Sequence, residues 1–80
     1  MADLTPADLD RLEALAAAAT LGPWSAIPSR HHTWHVLDGY GMVLVEDLFS
    51  GDDAALIAAA REAVPTLVAE VRRLRALTRS

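Results

Sequence analysis

Residues 57–78, IAAAREAVPTLVAEVRRLRALT, carry the strongest pattern in the chain. Apolar side chains recur there in alternating steps of three and four, the heptad spacing of a helix that packs against another helix. The a positions are β-branched and the d positions hold alanine or leucine, which favours two parallel helices. We therefore predict an oligomer whose interface contains Ile57, Ala60, Val64, Leu67, Val71 and Leu74.

The same stripe has a second interpretation within one chain, because it could equally pack on the other elements of its own fold. In the oligomer, Glu70 and Arg75 would occupy the g and e positions that meet between parallel partners. Pro65 interrupts the pattern, and proline both removes a backbone donor and crowds the preceding turn. We expect a helix over about residues 52–79 with a kink or a break near residues 61–64.

The start of the chain predicts a second helix. Thr5 is placed as an N-cap, Pro6 as the first helical residue and Asp8 as the acid of a capping box. Leucine and alanine then recur at helical spacing until Gly22 and Pro23 stop the helix. This helix should span about residues 6–20.

Between residues 24 and 48 the period changes from helical to alternating. β-Branched and aromatic residues cluster in residues 33–37 and 42–45, and the segment between them contains Gly39 and Gly41, which permit a tight reversal. Residues 24–27 could add a short third strand, and Trp24 is expected in the core. The predicted fold is α+β, with an N-terminal helix, a hairpin of two or three strands and a long C-terminal helix, in a single domain over residues 1–80.

Length and composition narrow the possible functions. The chain has 80 residues, 11 acidic and 7 basic side chains, no cysteine and a formal charge of −4. So short a chain forms a small core, and without disulfides or thiolate metal sites we expect self-association to supply the missing buried area. Because of the negative charge we do not expect nucleic acid as a partner, and no apolar run reaches the ~20 residues that span a bilayer. The first residues lack the positive region of a signal peptide, so we expect a cytoplasmic location.

One polar cluster has the chemistry of a binding site. Cationic donors and flat rings together suit a phosphate group joined to a stacked base. The candidate ligand-binding residues are Arg30, His31, His32, Trp34, His35 and Tyr40. A metal site is not expected, because strand alternation places His31 and His35 about 13 Å apart on one face and sends His32 to the other.

Catalytic patterns are missing from the sequence. It contains no cysteine or lysine nucleophile, no Gly-x-Ser-x-Gly elbow and no glycine-rich phosphate loop, so we predict neither an enzyme nor a cofactor. A run of four arginines in residues 72–79 is interpreted as a solvated helix face.

Three segments together carry a family resemblance. Residues 16–24 (AAAATLGPW), residues 53–61 (DAALIAAAR) and residues 64–75 (VPTLVAEVRRLR) resemble the Ead-like small early-region proteins of lambda-type phages and their actinobacterial phage and prophage relatives. Leu21 stands where that family commonly has proline. The resemblance implies a phage or prophage accessory protein and brings no catalytic residues.

The predicted function is therefore non-enzymatic. The first hypothesis is an oligomeric binding module for a host or phage protein. The alternative is an anti-defence sponge that sequesters a host nucleotide immune signal through the cluster of residues 30–40.

Overall fold

The computed structural model describes residues 3–79, which form two helices and a three-stranded sheet. Helix α1 spans Pro6–Ala18, strands β1, β2 and β3 span Ser25–Pro28, Trp34–Leu37 and Val43–Leu48, and helix α2 spans Gly51–Arg79. A single 3-10 turn, Arg30–His32, joins β1 to β2. The predicted α+β class and the predicted order of elements are confirmed.

The chain divides into two compact units. The helical unit contains the residues up to Ala19 and those from Ala63 onward, and the sheet unit contains Thr20–Glu62. Helix α2 contributes residues to both units. The single domain over residues 1–80 stays a prediction.

Helix α1 begins at the capping box expected from the sequence. The Asp8 backbone N–H donates to Thr5 Oγ1 over 3.1 Å, and the Thr5 backbone N–H donates to Asp8 Oδ2 over 3.0 Å. The helix ends at Ala18, two residues before the predicted end, and Leu9 is its buried residue. These two reciprocal hydrogen bonds satisfy donors that the first turn of a helix otherwise leaves unpaired.

The sheet is antiparallel in the order β1-β2-β3, so β2 is the central strand. Val36 at its centre is fully buried. The third strand that the sequence left open is present as β1. Strand β3 ends at Leu48, at the predicted end of the β segment, and its pairing with β2 contains register irregularities on either side of Val36.

The reversal between β2 and β3 depends on Asp38 and on two glycines with different roles. The buried Asp38 carboxylate accepts backbone N–H bonds from Tyr40 and Met42 over 2.8 and 3.0 Å. Gly41 has a φ of 81°, in the left-handed region that glycine enters without strain. Gly39 instead permits a close approach of two backbone segments, because a Cβ there would lie 2.4 Å from the carbonyl oxygen of Gly22.

Helix α2 is continuous through Pro65, so the predicted break does not occur. Ser50 caps its first turn by accepting the Asp53 backbone N–H over 3.2 Å. Buried residues lie on both sides of the proline, at Ala54 and Val68. Packing on both sides offsets the loss of one backbone hydrogen bond, which is how tertiary contacts override a local helix breaker. Within residues 3–79, neither helix combines the length and apolar character needed to cross a membrane.

Candidate interaction surface and ligand-binding loop

Three of the predicted interface residues line an apolar groove in the helical unit. The groove has a volume of about 370 Å³, and all its lining side chains are aliphatic. They are Leu4, Leu9, Leu12, Val64, Leu67, Val68 and Val71. Residues of α2, three of them predicted from the heptad pattern, therefore form one wall of the groove. Leu9 and Leu12 of α1, together with Leu4, form the other wall.

Large apolar side chains of the helical unit remain exposed, one of them in the groove itself. Leu67 is 60% exposed, Leu15 58% and Leu74 49%. In the described part of the helical unit, only Leu9 and Val68 are buried hydrophobic residues. More large apolar side chains thus face outward than inward, which is typical of an unfilled interface.

The predicted interface residues do not share one environment. Val64 and Val71 are half-buried at the groove, Leu67 lines the groove but is exposed, and Leu74 is exposed and does not line it. The remaining two, Ile57 and Ala60, are half-buried within the sheet unit. Both interpretations of the stripe stay open, because Val64 and Val71 are half-buried within the chain while Leu67 and Leu74 are exposed.

The charged pair expected to meet between parallel helices has other partners within the chain. Arg73 donates to both carboxylate oxygens of Glu70, and its guanidinium holds the pKa of Glu70 below the usual range. Arg75 Nη2 donates to the backbone carbonyl oxygen of Leu4. Neither side chain is poised for the predicted bond to a second chain.

Ion pairs join α1 to α2 in the helical unit. Arg72 contacts Asp10 through Nη2 at 2.7 Å and Glu13 through Nη1 at 2.5 Å. All three side chains are more than a third exposed, so each exposed pair contributes at most about 1 kcal/mol. Among the described residues, no charged side chain lines the groove.

The proposed ligand loop adopts an unusual backbone conformation. His31 and His32 have φ values of 55° and 59°, in the left-handed region. Ser29 and Thr33 close the loop through a backbone hydrogen bond of 2.8 Å, and the buried Thr33 hydroxyl donates to the Arg30 carbonyl over 2.6 Å. Consecutive left-handed non-glycine residues cost conformational free energy, so these closing bonds hold the two imidazoles outward.

The loop brings together three of the six predicted ligand-binding residues. His31, His32 and Trp34 line a depression of about 560 Å³, whose other walls are Pro28, Ser29 and Thr33. Arg30 belongs to the same turn but does not line the depression. Tyr40 lies at the opposite end of β2, in the β2–β3 turn, and is 74% exposed.

His35 is held apart from that depression by its own hydrogen bonds. Its Nδ1 accepts the Asp47 backbone N–H over 3.4 Å, and its Nε2 lies 2.9 Å from Ser29 Oγ. Because Nδ1 accepts, Nε2 carries the proton in the neutral ring and donates to the serine. His35 thus links β2 to β3 and to the loop, and both ring nitrogens are already engaged.

The two tryptophans have structural surroundings that the sequence did not reveal. Trp34 packs over the first turn of α2, where a Cβ at Gly51 would lie 2.9 Å from its Cε2. Trp24, expected in the core, is only half-buried. Its indole N–H donates to the Thr20 carbonyl over 3.1 Å, and the Arg61 guanidinium lies 6.0 Å from its ring centroid. No local sequence signal connects Arg61 to a tryptophan 37 positions earlier in the chain.

Within residues 3–79, no three histidine, aspartate or glutamate side chains converge on a point that could hold a metal ion. Comparison of the chain with protein-family models, with curated proteins and with solved structures found no match. The resemblance to the Ead-like proteins therefore stays a prediction.

Proposed function

We propose that this chain is a non-enzymatic binding module that works as an oligomer. The observation that carries the proposal is the apolar groove of the helical unit, together with the exposure of Leu67, which lines it, and of Leu74 on the same helix. A groove between two helices is a common receptor for an amphipathic helix. We assign α2 of a second copy as the occupant, because the lining of the groove is aliphatic, includes the exposed Leu67 and carries no charge that a like copy would repel.

The partner-binding part of the proposal concerns the sheet unit. Tyr40 and Met42 project from the β2–β3 turn and are 74% and 66% exposed. Tyrosine and methionine are enriched at protein interfaces relative to other surfaces. An assembled module would present several copies of this turn to a host or phage protein. The phage setting and the cytoplasmic location rest on the sequence alone.

Replacing Leu67 by glutamate tests the assembly. Because Leu67 is 60% exposed, a carboxylate there stays hydrated in a single chain but is buried when a second copy fills the groove. We expect the wild-type chain to sediment as an oligomer at micromolar concentration and Leu67→Glu to sediment as a folded monomer with unchanged helical circular dichroism.

Leu77→Glu is the matched control, since Leu77 is also 60% exposed on α2 but does not line the groove. It should sediment like the wild type. A monomeric wild type, or a Leu67→Glu variant that assembles normally, would refute the assignment of the groove to a second copy.

A second function is favoured by the depression at the ligand loop. His31, His32 and Trp34 place two imidazoles and an indole around one opening, a combination suited to a nucleotide through phosphate contacts and base stacking. In this alternative the chain sequesters a nucleotide signal of host immunity.

Thermal denaturation with a cyclic dinucleotide tests the alternative. At a hundredfold excess over its dissociation constant, the ligand should stabilise the chain by about 2.7 kcal/mol. His31→Ala with His32→Ala should abolish that gain, whereas Tyr40→Ala should keep it because Tyr40 lies outside the depression. An unchanged melting temperature for the wild type, across linear and cyclic nucleotides, would reject the sponge.

A further inference from the structure

A small cavity in the helical unit combines arginines with apolar side chains. Its volume is about 210 Å³. Arg72, Arg75 and Arg79 are spaced by three and four along α2, so their side chains reach the same face of the helix and the same cavity. Leu9 and Ala76 supply apolar walls. We call this cavity the arginine pocket.

The positive charge of the arginine pocket is only partly compensated within the chain. Arg72 is paired with Asp10, which also lines the pocket, and with Glu13. Among residues 3–79, no carboxylate forms a salt bridge with Arg75 or Arg79. Two guanidinium groups therefore remain for an external anion, while the negative charge of Asp10 is already matched by Arg72.

One of these guanidinium groups is fixed before any ligand arrives. Arg75 is half-buried, and its Nη2 donates to the Leu4 carbonyl oxygen. This bond orients the group and leaves its other N–H donors unused by that contact. A pre-oriented guanidinium binds a planar oxyanion with less loss of side-chain entropy than a free one.

We propose that the arginine pocket binds a carboxylate attached to a short apolar group. The guanidinium fork matches the two oxygens of a carboxylate, and the walls formed by Leu9 and Ala76 suit an aliphatic or aromatic body. The volume is below the roughly 300 Å³ of typical ligand pockets, which favours a small acid or the end of a larger molecule over a whole nucleotide.

Titration with benzoate, followed by the amide NMR signals of α1 and α2, tests this assignment. Benzoate should shift the signals of residues lining the pocket, while benzamide, which lacks the charge, and acetate, which lacks the apolar body, should bind at least tenfold more weakly. Equal shifts with benzoate and benzamide would overturn the proposal.

Two variants that each remove one positive charge from α2 distinguish binding in the arginine pocket from a general effect of basic residues on benzoate binding. Arg79→Gln should weaken benzoate binding about tenfold, because a charged hydrogen bond is lost. Arg73→Gln removes an arginine of the same helix that does not line the pocket, and should leave the affinity unchanged. Equal effects of the two variants would contradict the assignment.

Titration with a dipeptide distinguishes two sources of the carboxylate, the C-terminus of a polypeptide and a small acid. The dipeptide Ala-Leu with a free C-terminus should bind more tightly than benzoate if the pocket receives the end of a polypeptide, and more weakly if it receives a small acid. The amidated dipeptide should not bind in either case. Leu67→Glu should retain benzoate binding, so failure of the assembly and failure of the pocket would be distinguishable.

Discussion

At the scale of single residues, the Asp8 carboxylate gives the helical unit a defined dependence on pH. The Thr5 backbone N–H, followed by the Thr5 hydrogen bond to the side chain, lowers the pKa of Asp8 below its usual value. A carboxyl whose pKa is lower in the folded state binds fewer protons there than in the unfolded chain. Its contribution to stability is therefore complete above the ordinary carboxyl pKa and is lost as the pH falls through the lowered value.

Asp8→Asn should isolate this contribution. The urea midpoint of the variant should lie below that of the wild type near neutral pH, and the difference should shrink as the pH falls below about 4. Glu46→Gln, which removes an exposed carboxylate from β3, is the control and should show no such convergence. A deficit of Asp8→Asn that is the same at every pH would mean that the capping carboxylate is not the titrating group.

At the scale of elements, the start of α1 could be predicted because its signals lie within four residues of each other. Thr5, Pro6 and Asp8 specify the cap through local hydrogen bonds, which need no information from elsewhere in the fold. The backbone conformation at Asp47 in β3 could not be predicted in this way. Asp47 takes a φ of 57° and donates its N–H to His35, twelve residues earlier, so the partner that fixes this backbone lies on another strand.

Helix α2 shows a different limit of sequence reasoning. The proline rule correctly identified a lost hydrogen bond at Pro65, but the buried Ala54 and Val68 keep the helix continuous. Val64 and Val71, which the heptad pattern assigns to an oligomer interface, line the apolar groove. Periodicity alone could not decide whether that surface faces the chain itself or a partner, since both arrangements demand the same spacing.

The candidate ligand site was only partly predictable for a geometric reason. Composition grouped six residues between positions 30 and 40, a span that includes the whole of β2. Strand alternation sends Trp34 and His35 to opposite faces, and the length of the strand separates Tyr40 from the loop. The left-handed backbone at His31 and His32 has no sequence signal comparable to glycine, so their joint exposure required the structure.

At the scale of the whole molecule, the balance of buried and exposed apolar side chains decides what stability a single chain can reach. Among the described residues, four hydrophobic side chains are buried: Leu9, Val36, Ala54 and Val68. Eleven large hydrophobic side chains are exposed. A chain of this size has little interior to offset its conformational entropy, so burial against a second copy should contribute directly to folding.

Thermal unfolding should therefore depend on protein concentration. For a dimer that unfolds to two chains, a tenfold rise in concentration adds about 1.4 kcal/mol to the stability. With about 2.1 cal/mol/K of unfolding entropy per residue over two chains of 80 residues, the midpoint should rise by about 4 °C per tenfold increase. Leu67→Glu should melt at a lower temperature that does not change with concentration, because its folded state is a monomer. A wild-type midpoint that stays constant from about 1 to about 100 μM would show that the single chain is stable without a partner, and the groove would then need another occupant.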